Sequence, residues 1–532
     1  MTNALGVDDV PAKKAGKGEE DQDPVSQLVG EFGRWQLQLT FLLSLFNFPC
    51  TWHIFASTFQ SPSVKYWCVD EPTNGSFSVH NGSSTDACLV LESNNTTRLC
   101  TQWEFDETEF GATITSQWSL VCEREGLKNV AEMTFLVGVA VGGLVSGLVS
   151  DRFGRKRTLM VSLTLQIATA LCIAFVPWFE MYLALRCFLG FISVGVVFSG
   201  FVLCMELVGG KWRTISGVSY LFPVPLSYIS IAGIAYLVRG WQNLQLAITL
   251  PSLLLLALYW ILPESPLWLL ALGRKEEVLV ILQEAARING KPLPQNVDKI
   301  LQQAIPSKEE QNEPKAGILD LFRTPNMRKN SLVLYVIWFS VYLVYYGLVL
   351  NLGNIGGDIY INTVISGAVE IPAIGGSIFI LLKLGRRWPL SLTILGGGLA
   401  CLLTLAVPED LQWLTIGLAM VGKFLVSSSN AVMPVFTAEL YPTVMRNLGV
   451  GSSNVSAGIA LMLVPYLWNL AVMSPAVPMA LLGVTGALGG LSVLLLPETA
   501  GRSLVGSLAD VEELPRRLST VEKHNSNDQP PA

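Results

Sequence analysis

MELVGGKWR (residues 205–213) and AELYPTVMR (residues 438–446) are one motif written twice. Glu206 and Arg213 of the first copy return as Glu439 and Arg446. Working outward, Gly154-Arg155 in DRFGRK (151–156) recurs as Gly385-Arg386 in KLGRR (383–387), and Pro263-Glu264-Ser265 recurs as Pro497-Glu498-Thr499. The spacing between copies is about 230 residues each time, and each copy follows a long apolar run. Two halves carrying the same punctuation predict a membrane transporter built from parallel repeats around a central site.

The composition agrees. Of 532 residues, 51% are hydrophobic and only 14% charged, against about 25% charged in an ordinary soluble domain. Twelve apolar blocks, 35–59, 133–150, 158–176, 181–205, 214–237, 244–262, 330–352, 361–382, 388–407, 411–434, 448–472 and 478–496, are long enough to cross ~30 Å of hydrocarbon as helices. Helices are required there, because backbone groups in lipid need internal partners. The expected fold is therefore all-α, with twelve transmembrane helices in two six-helix halves, 34–262 and 330–496.

Orientation follows from basic residues in the short loops. Arg152, Arg155, Lys156 and Arg157 follow the second span, Lys211 and Arg213 the fourth, Lys383, Arg386 and Arg387 the eighth, and Arg446 the tenth. The linker 263–329 holds ten Lys or Arg, whereas the alternate short loops hold only Arg239. Both termini are thus expected in the cytosol. Residues 1–33 lack an apolar core and read as a disordered cytosolic tail, and 497–532 as a second tail. In the linker, Val278, Leu282, Ala285 and Ile288 share one helical face, which predicts an amphipathic helix against the inner ends of the bundle.

The one long outward loop, 60–132, carries glycosylation sequons at Asn74, Asn81, Asn94 and Asn95, together with Cys68, Cys88, Cys100 and Cys122. Four cysteines in an oxidising compartment allow three pairings, among which spacing does not choose. Asn454-Val-Ser also matches a sequon but lies inside a span, so it is set aside.

GLVSDRFGRKR (147–157) resembles the signature loop of the major facilitator superfamily. EFGATITSQWSLVC (109–122), MELVG (205–209), PESPLWL (263–269), AELYPTVMRNLGVG (438–451) and LLPET (495–499) narrow the resemblance to the organic cation, zwitterion and anion transporters of solute carrier family 22, over about residues 30–505. Leu267 and Ala500 stand where the family pattern carries Arg and Lys. The resemblance implies a plasma-membrane protein in which Asp151, Arg152 and Arg155 latch the halves in one access state.

Charges buried in a bilayer cost several kcal/mol, so each ionisable residue within a span is a functional candidate. They are His53, Arg186, Glu370 and Lys423, with Glu206 and Glu439 near inner ends. Glu370, midway through the eighth span, matches a Glu of the cation transporters and would attract an ammonium group, unless it serves as an internal ion pair. Lys423, midway through the tenth, would meet a substrate carboxylate or neutralise Glu370. Gly458 stands where cation members carry Asp and anion or carnitine members carry Arg, so the family's main charge selector is missing. Tyr345 and Tyr346 are aromatic candidates for a cation surface, followed by Tyr342, Trp338, Phe222, Tyr228 and Trp52. Arg186 is expected to bridge to a carboxylate in the outer half. Glu206, Arg213, Glu439 and Arg446 are expected to form cytosolic salt bridges that break on alternation. Pro223 and Pro225 interrupt the fifth span, through either a kink or a break that exposes carbonyls to a cavity.

No phosphate-binding loop, zinc spacing, catalytic signature or basic nucleic-acid patch is present. The expected function is alternating-access transport of small organic cations or zwitterions, with no enzyme activity and no cofactor. The partners are a small organic solute and the lipid bilayer, with any coupling ion unknown. The competing readings are an organic anion transporter of the same family and a non-transporting receptor on the same fold.

Overall fold

The computed structural model describes residues 24–69, 88–91, 97–304, 318–350, 357–442, 445–474 and 476–499. Among the described residues, eleven helices are long and apolar enough to span a membrane: Arg34–Gln60, Cys122–Phe153, Arg155–Ile173, Phe179–Glu206, Trp212–Leu237, Trp241–Trp260, Pro325–Val349, Ile359–Leu381, Arg387–Ala406, Gln412–Leu440 and Leu448–Ala471. A shorter apolar helix, Val477–Val493, follows. Numbered 1 to 12 in order, they coincide with the twelve blocks expected. Their outward faces carry exposed Leu148, Val161, Leu254 and Trp260, the pattern of a surface meant for hydrocarbon.

Helices 1–6 pack among themselves, as do helices 7–12, and the halves meet along two seams, helix 2 against 11 and helix 5 against 8. Small residues set the closest approaches. A Cβ on Gly138 would lie 1.9 Å from the Cys187 carbonyl oxygen, and one on Gly190 would lie 2.1 Å from that of Phe135. Helices 2 and 4 therefore touch backbone to backbone, as the glycine spacing requires.

Helix 6 is interrupted at Leu250 and Pro251, and two spans that line the cavity are broken as well. Helix 5 divides into Gly210–Ser219 and Pro223–Leu237, with Pro223 at a first-turn position where its missing N–H costs nothing. Helix 1 divides into Arg34–Ser44 and Asn47–Gln60. The two breaks face each other, because Asn47 Nδ2 donates to the Tyr220 carbonyl at 2.9 Å and to the Ser44 carbonyl at 3.1 Å.

One end of the bundle carries the repeated motifs and is called here the basic end. Residues 24–33 were expected to be a disordered tail, yet Pro24–Val29 is a helix with Val25, Leu28 and Val29 buried. It packs on the linker helix Lys275–Asn289, whose Val278, Leu282 and Ala285 are buried as the periodicity predicts. Asn289 ties that helix to helix 1, accepting from Trp35 N at 2.9 Å and donating to Gln36 Oε1 at 3.0 Å. The apolar residues that escaped notice sit between polar neighbours and become buried only once the linker folds back.

At the opposite end lies the loop between helices 1 and 2. Two small antiparallel ladders, Tyr66–Cys68 with Trp103–Phe105 and Leu89–Leu91 with Thr97–Leu99, organise it. The disulfides are Cys68–Cys100 and Cys88–Cys122, which resolves the pairing left open by spacing. Asp106 accepts from the Thr108 hydroxyl and amide, which holds its carboxyl below the usual range. The loop is docked on helices 5 and 6: Arg239 Nη1 donates to the carbonyls of Thr108 and Glu109 at 2.7 and 2.6 Å, and Trp241 N donates to the Ala112 carbonyl at 2.9 Å. Asn74, Asn81, Asn94 and Asn95 lie outside the described residues.

Candidate functional site

Between the halves lies a cavity of about 320 Å³. Helices 1, 2, 4, 5, 7, 8, 10 and 11 all contribute to its wall. Its boundary toward the loop end is a chain of polar contacts crossing the seam. Tyr228 OH on helix 5 pairs with Tyr345 OH on helix 7 at 2.8 Å, and Tyr345 OH donates to Glu370 Oε1 on helix 8 at 2.7 Å. Beyond it, Tyr360 stacks on Phe59 at 5.4 Å and on Phe110 of the docked loop at 6.0 Å, and Asn129 Nδ2 donates to Asn469 Oδ1 at 2.9 Å. From this closure the cavity extends along Leu144, Phe198 and Phe201 toward the basic end.

Glu370 and Lys423, the two charged candidates, have found each other. Lys423 Nζ lies 3.1 Å from Glu370 Oε2, and the side chains are only 1% and 5% exposed for Lys423 and Glu370 respectively. Nζ also donates to the Ser366 carbonyl at 3.0 Å and to the Ser366 hydroxyl, and sits 4.5 Å from the Tyr228 ring centre. The carboxylate lines the cavity, whereas the lysine stands behind it. Oε2 is enclosed on the lysine side of the carboxylate, where the charge of Lys423 holds it.

Of the aromatic candidates, Tyr228, Tyr342, Tyr345 and Tyr346 line the cavity. Tyr342 and Tyr346 contact in turn at 5.8 Å, and Tyr345 and Tyr346 meet edge-on at 5.0 Å. Trp52 and Trp338 are packing residues instead, donating to Ser230 and Thr437 hydroxyls at 2.9 and 3.0 Å. Gly458 also reaches the cavity, and its empty side is filled by the opposite half: a Cβ there would lie 2.7 Å from Ala140 Cβ.

The sequence reading passed over several lining residues, among them Phe55, Phe198, Tyr220, Asn430 and Asn454. Asn454 was visible only as a sequon in an impossible place, and that misfit was its signal. Glu132 was also missed, because the second span was started one residue too late; it lies within helix 2.

Arg186 is buried in the outer half of helix 4. Its Nη1 donates to the His53 carbonyl at 3.1 Å, and its guanidinium lies 4.7 Å from the Phe135 ring centre. Among the described residues no carboxylate comes into direct salt-bridge contact with it, but Glu132 on helix 2 lies close enough to interact with its charge.

At the basic end the repeats assemble one cluster per half. Arg155 holds Glu206 with Nε at 3.0 Å and Nη2 at 3.1 Å, and reaches Asp151 at 2.8 Å. Arg386 holds Glu439 at 3.1 Å. Glu264 accepts from Lys156 N at 2.9 Å, and Glu498 accepts from Arg386 N and Arg387 N at 3.0 and 3.1 Å. Glu206 and Glu439 are thus salt-bridged, but to the arginine of the preceding motif, and each bridge closes inside its own half. Arg213 Nε donates to the carbonyls of Met205 and Val208, each at 3.1 Å. Arg152 lies exposed beside Phe153, 5.6 Å from its ring centre. The side chain of Arg446 lies outside the described residues.

Comparison with known proteins places this geometry. Residues 125–507 match the model of the sugar (and other) transporter family. The chain is 34% identical to the organic cation transporter protein of Drosophila melanogaster, over 94% of this chain and 96% of that one. It is 33% identical to the human organic cation/carnitine transporter 2, over 91% and 92%. Among solved structures, the inward-open xylose transporter XylE of E. coli superposes with a TM-score of 0.63 at 17% identity, covering 90% of this chain and 99% of that one. At that identity the likeness speaks to the fold alone.

Proposed function

Since this chain belongs to the sugar (and other) transporter family of the major facilitator superfamily, and within it to the organic cation/carnitine transporters of solute carrier family 22, we propose that it carries small organic cations or zwitterions across the plasma membrane by alternating access. The basic end and both termini face the cytosol, and the disulfide-bonded loop, bearing glycans at its sequons, faces outward. The reading agrees with the positive residues at one end and cysteine pairs at the other.

One observation carries it. Among the described lining residues Glu370 is the only carboxylate, and it looks into the cavity past four tyrosines while its lysine partner is hidden behind. An ammonium group entering from the basic end meets ring faces, worth about 0.5–2 kcal/mol each, and then the negative charge of the Glu370 carboxylate. The pair is neutral as a unit and Gly458 adds no charge, so a monocation or a zwitterion suits the site and a dianion does not. An anion transporter would need Lys423 at the surface of the cavity, where it is not among the lining residues. Asp151, Arg155 and Glu206, with Arg386 and Glu439 in the other half, brace the turns between helices 2 and 3 and between 8 and 9, while Arg152, Arg213 and Arg446 hold the cytosolic face.

Saturable uptake in expressing cells tests this, with a permanently charged ammonium compound measured beside an amine-free monocarboxylate. The ammonium compound is expected to accumulate, and Glu370→Gln to reduce its uptake at least about tenfold, as for loss of a charge-assisted contact of 1.5–3 kcal/mol. Accumulation of the carboxylate alone would reverse the assignment.

A further inference from the structure

Deepening that reading, and resting on it, we infer that Asn454 and Asn430 form a neutral recognition patch for a hydroxyl or carbonyl group at the far end of a cationic substrate. Both amides line the cavity, both are half-buried, and neither has a hydrogen-bond partner among the described residues. Ser427, one turn from Asn430 on helix 10, adds a hydroxyl that is buried and likewise unpartnered. The buried Ser427 hydroxyl is costly to leave unpaired, by about 1–3 kcal/mol, and the two half-buried amides keep their hydrogen-bonding capacity for whatever fills the cavity. Packing would be served better by Leu or Ala, so the amides need a polar visitor.

The neighbouring backbone makes room for one of them. Gly143 on helix 2 stands opposite Asn454, where a Cβ would lie 3.4 Å from Nδ2. One turn further along helix 11, Gly458 is sealed against Ala140. A side chain cannot reach the cavity from position 458 without parting helices 2 and 11, so among the described lining residues of helix 11 Asn454 supplies the polar side chain. An amide there both donates and accepts, and carries no charge. It rewards a neutral polar group, while a carboxylate would give up its hydration for hydrogen bonds alone.

Spacing completes the argument. Asn430 lies seven residues beyond Lys423 on helix 10, a rise of about 10 Å toward the basic end. With its ammonium at Glu370, a substrate the length of an arylethylamine places its distal substituent among Asn430, Ser427 and Asn454.

The test uses phenethyltrimethylammonium and its 4-hydroxy derivative, which are permanently charged and differ by one hydroxyl. Uptake of each is measured in cells expressing the full chain, normalised to surface protein. Wild type is expected to favour the hydroxylated probe about fivefold in Vmax/KM, the value of one net hydrogen bond. Asn454→Ala and, independently, Asn430→Ala are expected to bring that ratio down to about two or less, with the hydroxyl-free probe changed less than about twofold. A packing role would move both probes together and leave the ratio unchanged; that result in both variants overturns the inference while the cation reading stands. If wild type accumulates neither probe, the cation reading falls and takes this inference with it.

Discussion

Removing either partner of the Glu370–Lys423 pair strands a charge in the membrane interior. At the 3.1 Å separation and an effective dielectric near 20, their attraction is about 5 kcal/mol. Desolvating the two ions costs several kcal/mol apiece, so the intact pair contributes little net stability. Its loss by halves is another matter. Lys423→Met leaves Glu370 with Tyr345 as its one hydrogen-bond donor, and Glu370→Gln leaves Lys423 with Ser366 and the Tyr228 ring. Each single variant is expected to be destabilised by about 3–5 kcal/mol, with Lys423→Met the worse because an anion loses its sole cation. The double variant Glu370→Gln/Lys423→Met is expected to lie above both singles. Thermal midpoints of detergent-purified protein, read by fluorescence-detected size exclusion, give the order directly. The double variant should nevertheless fail to transport an ammonium probe, because the acceptor is gone. A double variant as unstable as the sum of the singles would refute the pairing argument, and one that transports normally would refute the assignment of Glu370.

Two further predictions concern the seam and the basic end. Gly458→Ala is expected to cost about 1–3 kcal/mol by overpacking against Ala140, and Ala140→Gly on the same chain should restore the thermal midpoint; a Gly458→Ala variant as stable as wild type would mean the helix 2–11 contact is loose. Glu206→Gln and Glu439→Gln should each lower stability, by about 1.5–3 kcal/mol at most given their partly exposed sites, while leaving the KM of any transported substrate unchanged. A change in KM would place these braces in the substrate path.

The twelve spans were legible because lipid imposes one rule on the backbone, and long apolar blocks obey it. The halves were legible because Glu206 and Glu439 repeat in register. Pairing was not: Glu206 meets Arg155 and not the arginine of its own motif, since the partner is chosen by how helices 3 and 4 pack. Glu370 and Lys423 were identifiable as buried charges, but only packing puts the lysine behind and the carboxylate in front. Break positions divided in the same way. Pro223 announced the break in helix 5, whereas the break in helix 1 depends on Asn47 finding the Tyr220 carbonyl, 173 residues away. Asn454 stayed hidden because a polar residue in a span has no periodicity to betray it.

The contacts that close the loop end bear on rate. The Tyr228–Tyr345 and Asn129–Asn469 hydrogen bonds and the ring contacts of Tyr360 are between uncharged groups, and across the seam the charged Lys423 meets only the Tyr228 ring face. At about 0.5–1.5 kcal/mol for each hydrogen bond or ring pair, the closure is held by only a few kcal/mol. A lid that weak opens thermally on its own, and a ligand of ordinary affinity is strong enough to set which side stays shut.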